Sequence, residues 1–419
     1  MSNTICIVDG YSTGAELAPV FKKKGWRCVH IQSHAVIPED YLLSYRPQTY
    51  DQHLILKETS ILAMQELARC LSLFAPDVII PGTETGVELA DFLSTELGTA
   101  GNDYATSPLR RNKFKMQEAL RQGGLRSIPQ MVTDSLADAS IWVKTSACWP
   151  VVVKPVDSAG ADGVRFCHNF EELNEAFTDI HGKTNRLGLH NSEVLLQERL
   201  IGRQFIVNAV SINGEHLISE IWSDDKKQVR NASLICEKEV LLPYQGEEQN
   251  ALIAYMQKAL TLLGIKNGAS HSELMMTAKG PVLIETAARM QGTIMHSAVV
   301  AALGYSHVTL TAERYLDPQR FTSRLRHHYQ VSKSLYCVTL ASDVEGVVRQ
   351  NRCQELLAQL PSFYGVMHTP DAGEKIYRTT DLFTNPGIIY LCHESQKQIE
   401  EDYAQIRAFE KNGALFELA

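Results

Sequence analysis

The chain has 419 residues, more than one ordinary core takes, and its 44% hydrophobic and 21% charged content fits a globular protein of roughly three domains. A formal net charge of −8 argues against nucleic acid or an anionic membrane as a main partner, while leaving room for a small basic pocket. Its 9 cysteines form no Cys-x-x-Cys clip, no basic-then-apolar leader opens the chain, and the longest apolar stretch, Ala298–Leu303, is too short to span a bilayer; a cytoplasmic setting is expected.

The N-terminal part alternates strands with helices. Thr4–Val8, Cys28–Ile31 and Val78–Ile80 are apolar runs, with helical patterns through Leu17, Val20 and Phe21 and over Lys57–Ser72 and Gly86–Leu97. This predicts a parallel sheet whose binding edge includes Thr83–Gly86. Gly10-Tyr-Ser-Thr-Gly14 does not fit the dinucleotide pattern G-x-G-x-x-G. After a connector, a helix runs to Gln122 and stops at Gly123-Gly124. Val151–Lys154 and Val164–Cys167 read as strands around a glycine loop, followed by a helix at Glu171–Asp179 and a strand at Val194–Gln197. Asn213-Gly214 marks a hairpin within residues 205–221, and a helix spans Glu248–Leu263. Farther on, Thr293–Leu303 reads as a helix opened by Gly292, and strands at Leu335–Leu340 and Gly387–Cys392 flank another helix.

Four segments carry chemistry. Lys113 lies in Arg110-Arg-Asn-Lys113, where an ordinary solvated lysine is the simplest reading. Val151-Val-Val-Lys154-Pro155 ends a strand in a lysine, and Asp157-Ser158-Ala159-Gly160-Ala-Asp-Gly163 follows it. Small residues let backbone N–H groups wrap phosphate oxygens, and the lysine adds a point charge, although a plain turn also satisfies the pattern. Gln197-Glu198-Arg-Leu200 forms a possible hinge beside a planar base. Finally, a hairpin symmetric about Lys279 places Glu273 opposite Glu285, about 5 Å apart on one face. Two carboxylates there repel by roughly 3 kcal/mol at an effective dielectric near 20, so a cation between them is favoured. Mg²⁺ suits such oxygens, though a solvated hairpin remains open on the pair alone.

In order and spacing, Lys113, Lys154 with its loop, Gln197–Leu200, Glu273 and Glu285 resemble the ATP-grasp ligases over residues 100–305. The stretch His271-Ser-Glu273 with Glu285-Thr-Ala-Ala-Arg289-Met-Gln-Gly292 resembles the L-amino-acid ligases that make dipeptides. The resemblance implies an α/β fold with α+β subdomains: an N-terminal parallel-sheet domain (1–105), two ATP-grasp subdomains (106–200 and 201–315) and a C-terminal α/β appendage (316–419). It assigns ATP to Lys113, Lys154, Ser158, Ala159, Gly160, Gly163, Gln197, Glu198, Leu200 and Gln204. Mg²⁺, with Mn²⁺ as a substitute, falls to Glu273 and Glu285. Catalysis falls to Arg289, Gly292 and His271, and substrate binding to Glu84 and Arg289. Ala287 stands where many relatives have a further Asn ligand, so the metal is expected to rest on the two glutamates without a third side chain nearby. Gln204 replaces the usual ribose-binding acid, and His271 replaces the Arg of D-alanine–D-alanine ligases.

The implied reaction joins two amino acids through an acyl phosphate, releasing ADP and phosphate. The expected partners are small-molecule amino acids, with no nucleic acid and no membrane, and a homodimer is an open arrangement. Competing readings are another ATP-grasp carboxylase or purine-pathway ligase, a nicotinamide-dependent oxidoreductase and a non-catalytic ATP-binding regulator. The missing G-x-G-x-x-G counts against the oxidoreductase, and the two lysines and two glutamates count against the regulator.

Overall fold

Strand–helix alternation at the N-terminus gives a four-stranded parallel sheet in the order β3-β2-β1-β4, from β1 (Thr4–Val8), β2 (Arg27–Gln32), β3 (Gln52–Ile55) and β4 (Val78–Pro81). The computed structural model describes residues 2–146, 149–158, 162–185, 187–228, 234–380 and 384–419. β1 lies between two neighbours and under helices, so all its residues are buried and its sequence is continuously apolar. β3 was not legible as a strand because it is the edge of the sheet, largely exposed and polar. The helix expected from Lys57 begins at Ile61, because the Ser60 hydroxyl accepts the Ala63 N–H and caps it there.

At the carboxyl edge the loops after β1 and β4 lock together. Thr85 Oγ1 donates to Asp9 Oδ2 at 2.5 Å, and Thr83 Oγ1 donates to the Asp9 carbonyl at 3.2 Å. Gly82 permits this approach, since a Cβ there would meet the Asp9 carbonyl oxygen at 2.4 Å.

A second, antiparallel sheet runs β5-β8-β6-β7, from β5 (Gln130–Thr133), β6 (Val151–Pro155), β7 (Arg165–Cys167) and β8 (Val194–Glu198). Helices Leu136–Ser146 and Phe170–Ile180 pack on it through Val143, Phe177, Val151, Val153 and Leu196. β5 and the first of these helices escaped the sequence reading: the strand is short and half-buried, and the helix is only weakly amphipathic.

The third sheet has eight antiparallel strands in the order β13-β12-β9-β10-β11-β14-β18-β16. They are β9 (Arg203–Ile212), β10 (Glu215–Gln228), β11 (Leu234–Leu242), β12 (Gly268–Thr277), β13 (Gly280–Ala287), β14 (Ser334–Thr339), β16 (Phe363–His368) and β18 (Ile388–His393). The Asn213-Gly214 turn joins β9 to β10, with φ of 51° and 85° at its two residues. Helix Glu247–Leu262 covers one face, and helix His296–Leu303 packs on Trp222, Leu241 and Tyr390 from the other. The sheet runs on without a break into the C-terminal strands, since β11 pairs with β14. β15 (Gly346–Asn351), β17 (Lys375–Ile376) and β19 (Phe416–Leu418) form a small separate sheet. Among the described residues, no helix is long and apolar enough to cross a membrane.

Two expectations need correcting. The helix expected over Thr293–Leu303 starts at His296, so Gly292 does not open it and helix-end N–H groups cannot be credited to Gly292. The β12–β13 hairpin does pair Glu273 with Glu285, but it is not symmetric about Lys279. Its turn is the two residues Ala278-Lys279, because Thr277 pairs with Gly280, and an extra residue, Ile284, bulges from β13 between the Leu274–Leu283 and Glu273–Glu285 pairs. Without the bulge the ladder would set Ile284 opposite Glu273 and turn Glu285 to the other face. The freed carbonyls do not go unsatisfied. Gln117 Nε2 donates to Leu283 O at 2.8 Å and to Ile284 O at 3.4 Å.

Candidate active site

Three elements converge on one cleft. Asn112 caps helix Lys113–Gln122 by accepting the Lys115 N–H, which sets Lys113 at the first helical position. Lys113 Nζ reaches the Ser158 carbonyl at 2.6 Å and Glu285 Oε2 at 3.2 Å. Lys154 is the last residue but one of β6, and burial, with the like charge of Lys113 adding to it, lowers the Lys154 ammonium to about 8. A cleft of about 340 Å³, open to solvent, is lined by Glu84, Arg111, Lys113, Ser158, His271, Glu285 and Arg289 among others.

Glu285 lines this cleft and Glu273 is its pair on the neighbouring strand, with side chains 32% and 28% exposed. Burial alone would raise the Glu273 carboxyl, but the facing His271 imidazole and the charges of Lys226 and Arg289 outweigh it, so Glu273 stays well below the usual carboxylate range. Asn208 sets the His271 ring. Its Nδ2 donates to Glu220 Oε1 at 2.8 Å and to Gln291 Oε1 at 2.7 Å, leaving its Oδ1 to accept from His271 Nδ1 at 2.9 Å. His271 Nε2 then points toward Glu273 Oε1, 3.9 Å away. Ala287 pairs with His271 across the strands, so its methyl group contributes no ligand there.

The expectation that no third side chain stands near the pair is overturned. Gln204 Nε2 donates to Glu273 Oε2 at 2.7 Å and to Asp224 Oδ2 at 3.0 Å, and Lys226 Nζ holds the same Asp224 oxygen at 2.8 Å. Cys236 and Glu239 lie against Asp224, and burial raises the Glu239 carboxyl. Apart from Gln204, expected at the nucleotide, this group was invisible in the sequence because its members come from strands β9, β10 and β11 and meet only through their register.

The remaining predicted residues are placed as follows. Ser158 and Gly163 flank the glycine loop; Gly163 has φ of 69°, and a Cβ there would stand 3.0 Å from Pro155. Ala159 and Gly160 lie outside the described residues. Gln197, Glu198 and Leu200 mark the end of β8, where the Gln197 side chain is taken up by Gln130 at 3.0 Å and Glu198 N–H bonds the Pro129 carbonyl at 3.0 Å. Gly292 is exposed beside Thr293, whose N–H reaches Ser12 Oγ at 3.4 Å. Glu84 and Arg289 meet directly: Arg289 Nε donates to Glu84 Oε2 at 2.9 Å. Arg111, which no sequence pattern singled out, donates to the other Glu84 oxygen at 2.5 Å. Burial works against ionisation of Glu84, but Arg111, Arg289 and Lys113 together hold its carboxyl below the ordinary range.

The family described as ATP-grasp domain matches residues 147–297. Dapdiamide A synthase of Enterobacter agglomerans is 33% identical over 97% of this chain and 95% of its own length. The L-arginine-specific L-amino acid ligase of Bacillus subtilis is 23% identical over 52% of each chain. Among solved structures, L-amino acid ligase from Bacillus licheniformis shares the fold with a TM-score of 0.78, at 18% identity, over 100% of this chain and 98% of that one. The chain therefore belongs to the ATP-grasp ligases, and within them it is related to the L-amino-acid ligases. It is an ATP-dependent carboxylate–amine ligase that forms amide bonds.

Proposed function

We propose that the chain joins two amino acids into a dipeptide, with ATP activating the carboxylate of the first. The observation that carries this reading is the meeting of Lys113, His271, Glu285 and Arg289 on one cleft, with Glu273 paired to Glu285 across the strands and Lys154 close enough to Lys113 and both glutamates to feel their charges. The names of the relatives support it, since two of them are amino-acid ligases and a third is an alanine–anticapsin ligase.

Phosphoryl transfer needs little covalent help, so positioning and charge neutralisation dominate. Lys113 and Lys154 neutralise phosphate oxygens. Mg²⁺ prefers one or two protein carboxylates joined to substrate phosphates, and Glu273, kept ionised beside half-exposed Glu285 on the neighbouring strand, fits that donor set. Bound there, the ion would neutralise the charge of the transferring phosphoryl group. Arg289 orients the first carboxylate for attack on the γ-phosphorus. The amine of the second amino acid then attacks the acyl carbon, and phosphate leaves. His271, on the cleft wall, lines the route of that amine. Because both Glu84 oxygens already hold arginines, we assign Glu84 to fixing Arg289 and not to capturing a substrate ammonium.

The test is phosphate release with ATP and Mg²⁺ across pairs of amino acids, with mass detection of products. Amino-acid-dependent release with a dipeptide mass is expected. Release with no pair, or an amide product that is not a dipeptide, overturns the reading.

A further inference from the structure

Arg111 is buried between two carboxylates from different parts of the molecule. Its Nη1 donates to Glu84 Oε1 at 2.5 Å and to the Glu84 carbonyl at 3.0 Å, while Nη2 lies 2.9 Å from Asp157 Oδ1. Glu84 follows β4 of the N-terminal sheet, and Asp157 opens the glycine loop that follows β6. The other Glu84 oxygen accepts Arg289 Nε at 2.9 Å. Asp157, Arg111, Glu84 and Arg289 thus form a chain of alternating charge from the phosphate loop to the arginine that handles the substrate carboxylate.

The start of the loop is held from the same segment, because the Lys113 N–H donates to the Val156 carbonyl at 3.0 Å. Arg111 and Glu84 side chains are only 11% and 10% exposed, so salt and water screen their attraction little. A guanidinium is a planar fork that fixes two anions at a set angle, which an ammonium cannot do. A shift of Asp157 therefore turns Arg111, and Glu84 carries the turn to Arg289.

We infer that Arg111 is a positioning residue: it ties Asp157, just past β6, to Arg289 through Glu84, so that Arg289 keeps its working orientation only while this tie is intact. This rests on the role given to Arg289 in the proposed ligase reaction. With the tie cut, the acyl phosphate still forms but is poorly held for the amine. Water attacks its acyl carbon, the carbon–oxygen bond to phosphate breaks, and phosphate leaves with the first amino acid regenerated as free carboxylate.

The test compares the full-length wild type with Arg111→Met and Asp157→Asn, measuring phosphate released per amide formed alongside kcat. The wild type should release one phosphate per amide. A misplacement of about 1 Å costs roughly 100-fold in rate, so kcat of Arg111→Met should fall by about that much while its phosphate-to-amide ratio rises well above one. Asp157, with a side chain 32% exposed, should keep its fold as Asn, and its variant should shift the ratio in the same direction. Asp157→Asn decides the matter even if Arg111→Met does not fold. A ratio that stays at one in Asp157→Asn overturns the relay, whereas a wild type with no amino-acid-dependent phosphate release overturns the ligase reading beneath it.

Discussion

Arg289 Nε donates to Glu84 Oε2 at 2.9 Å across 205 residues of sequence, and this one bond joins the N-terminal sheet to the flank of the glutamate hairpin. Replacing Glu84 by Gln leaves two largely covered guanidinium groups facing a neutral amide. Removing one partner of a buried pair costs roughly 3 kcal/mol, which urea denaturation at neutral pH should register. The sign with pH follows from the lowered Glu84 carboxyl. Its contribution is full above the ordinary value of 4.5 and is lost as pH falls through the lower folded value, so the gap between wild type and variant should close only in acid.

Glu285→Gln keeps the size of the side chain and removes its charge. Since a bound metal supplies several kcal/mol of charge stabilisation, turnover should fall by about a thousandfold while circular dichroism and thermal unfolding stay near wild type. Near-normal turnover in the folded variant would refute the metal assignment.

Lys154 gives a pH dependence of the opposite kind. In the free protein its ammonium titrates near 8, because burial and then Lys113 disfavour the charge. The charged form binds phosphate, so kcat/KM for ATP should decline as pH rises through about 8. Bound triphosphate restores the charge, so kcat should hold to higher pH. A kcat/KM profile flat from pH 7 to beyond 9, on the order of the unperturbed lysine range, would contradict this assignment.

Arg110 tests the framework apart from the chemistry. Its Nη2 meets Asp91 Oδ2 at 2.6 Å, and its Nη1 serves the Leu263 carbonyl at 3.0 Å, with Arg110 and Asp91 side chains 0% and 5% exposed. Arg110→Met leaves Asp91 as an unpaired buried charge and should lose about 3–5 kcal/mol in denaturant titration. A loss under about 1 kcal/mol, the value of a surface pair, would show the contact to be dispensable.

What was legible in the sequence follows a physical line. Lys154 and the glycine loop stood out because they close a buried apolar strand, and the two glutamates because each interrupts an apolar strand, where a charge needs a reason. β1 and β4 were readable from their continuous burial, whereas β3 lay on an exposed edge and β11 was hidden by Glu237, Lys238 and Glu239. Arg111, Asp224 and Lys226 carried no local signal, and Gln204 showed only as the stand-in for a ribose-binding acid. A surface-type residue becomes a buried partner only when distant strands and loops bring their charges to it. The pairing of Glu273 with Glu285 was expected from a symmetric turn, but a two-residue turn and a compensating bulge produce it.

That bulge separates the phase of the metal-facing side chains from the tip of the hairpin. Gln117 holds the carbonyls at Leu283 and Ile284, while Ala278 and Lys279 at the tip are exposed. Doubling the length of a flexible loop costs only about 0.6 kcal/mol, so the tip offers a place to graft a label or affinity tag with both glutamates left in register.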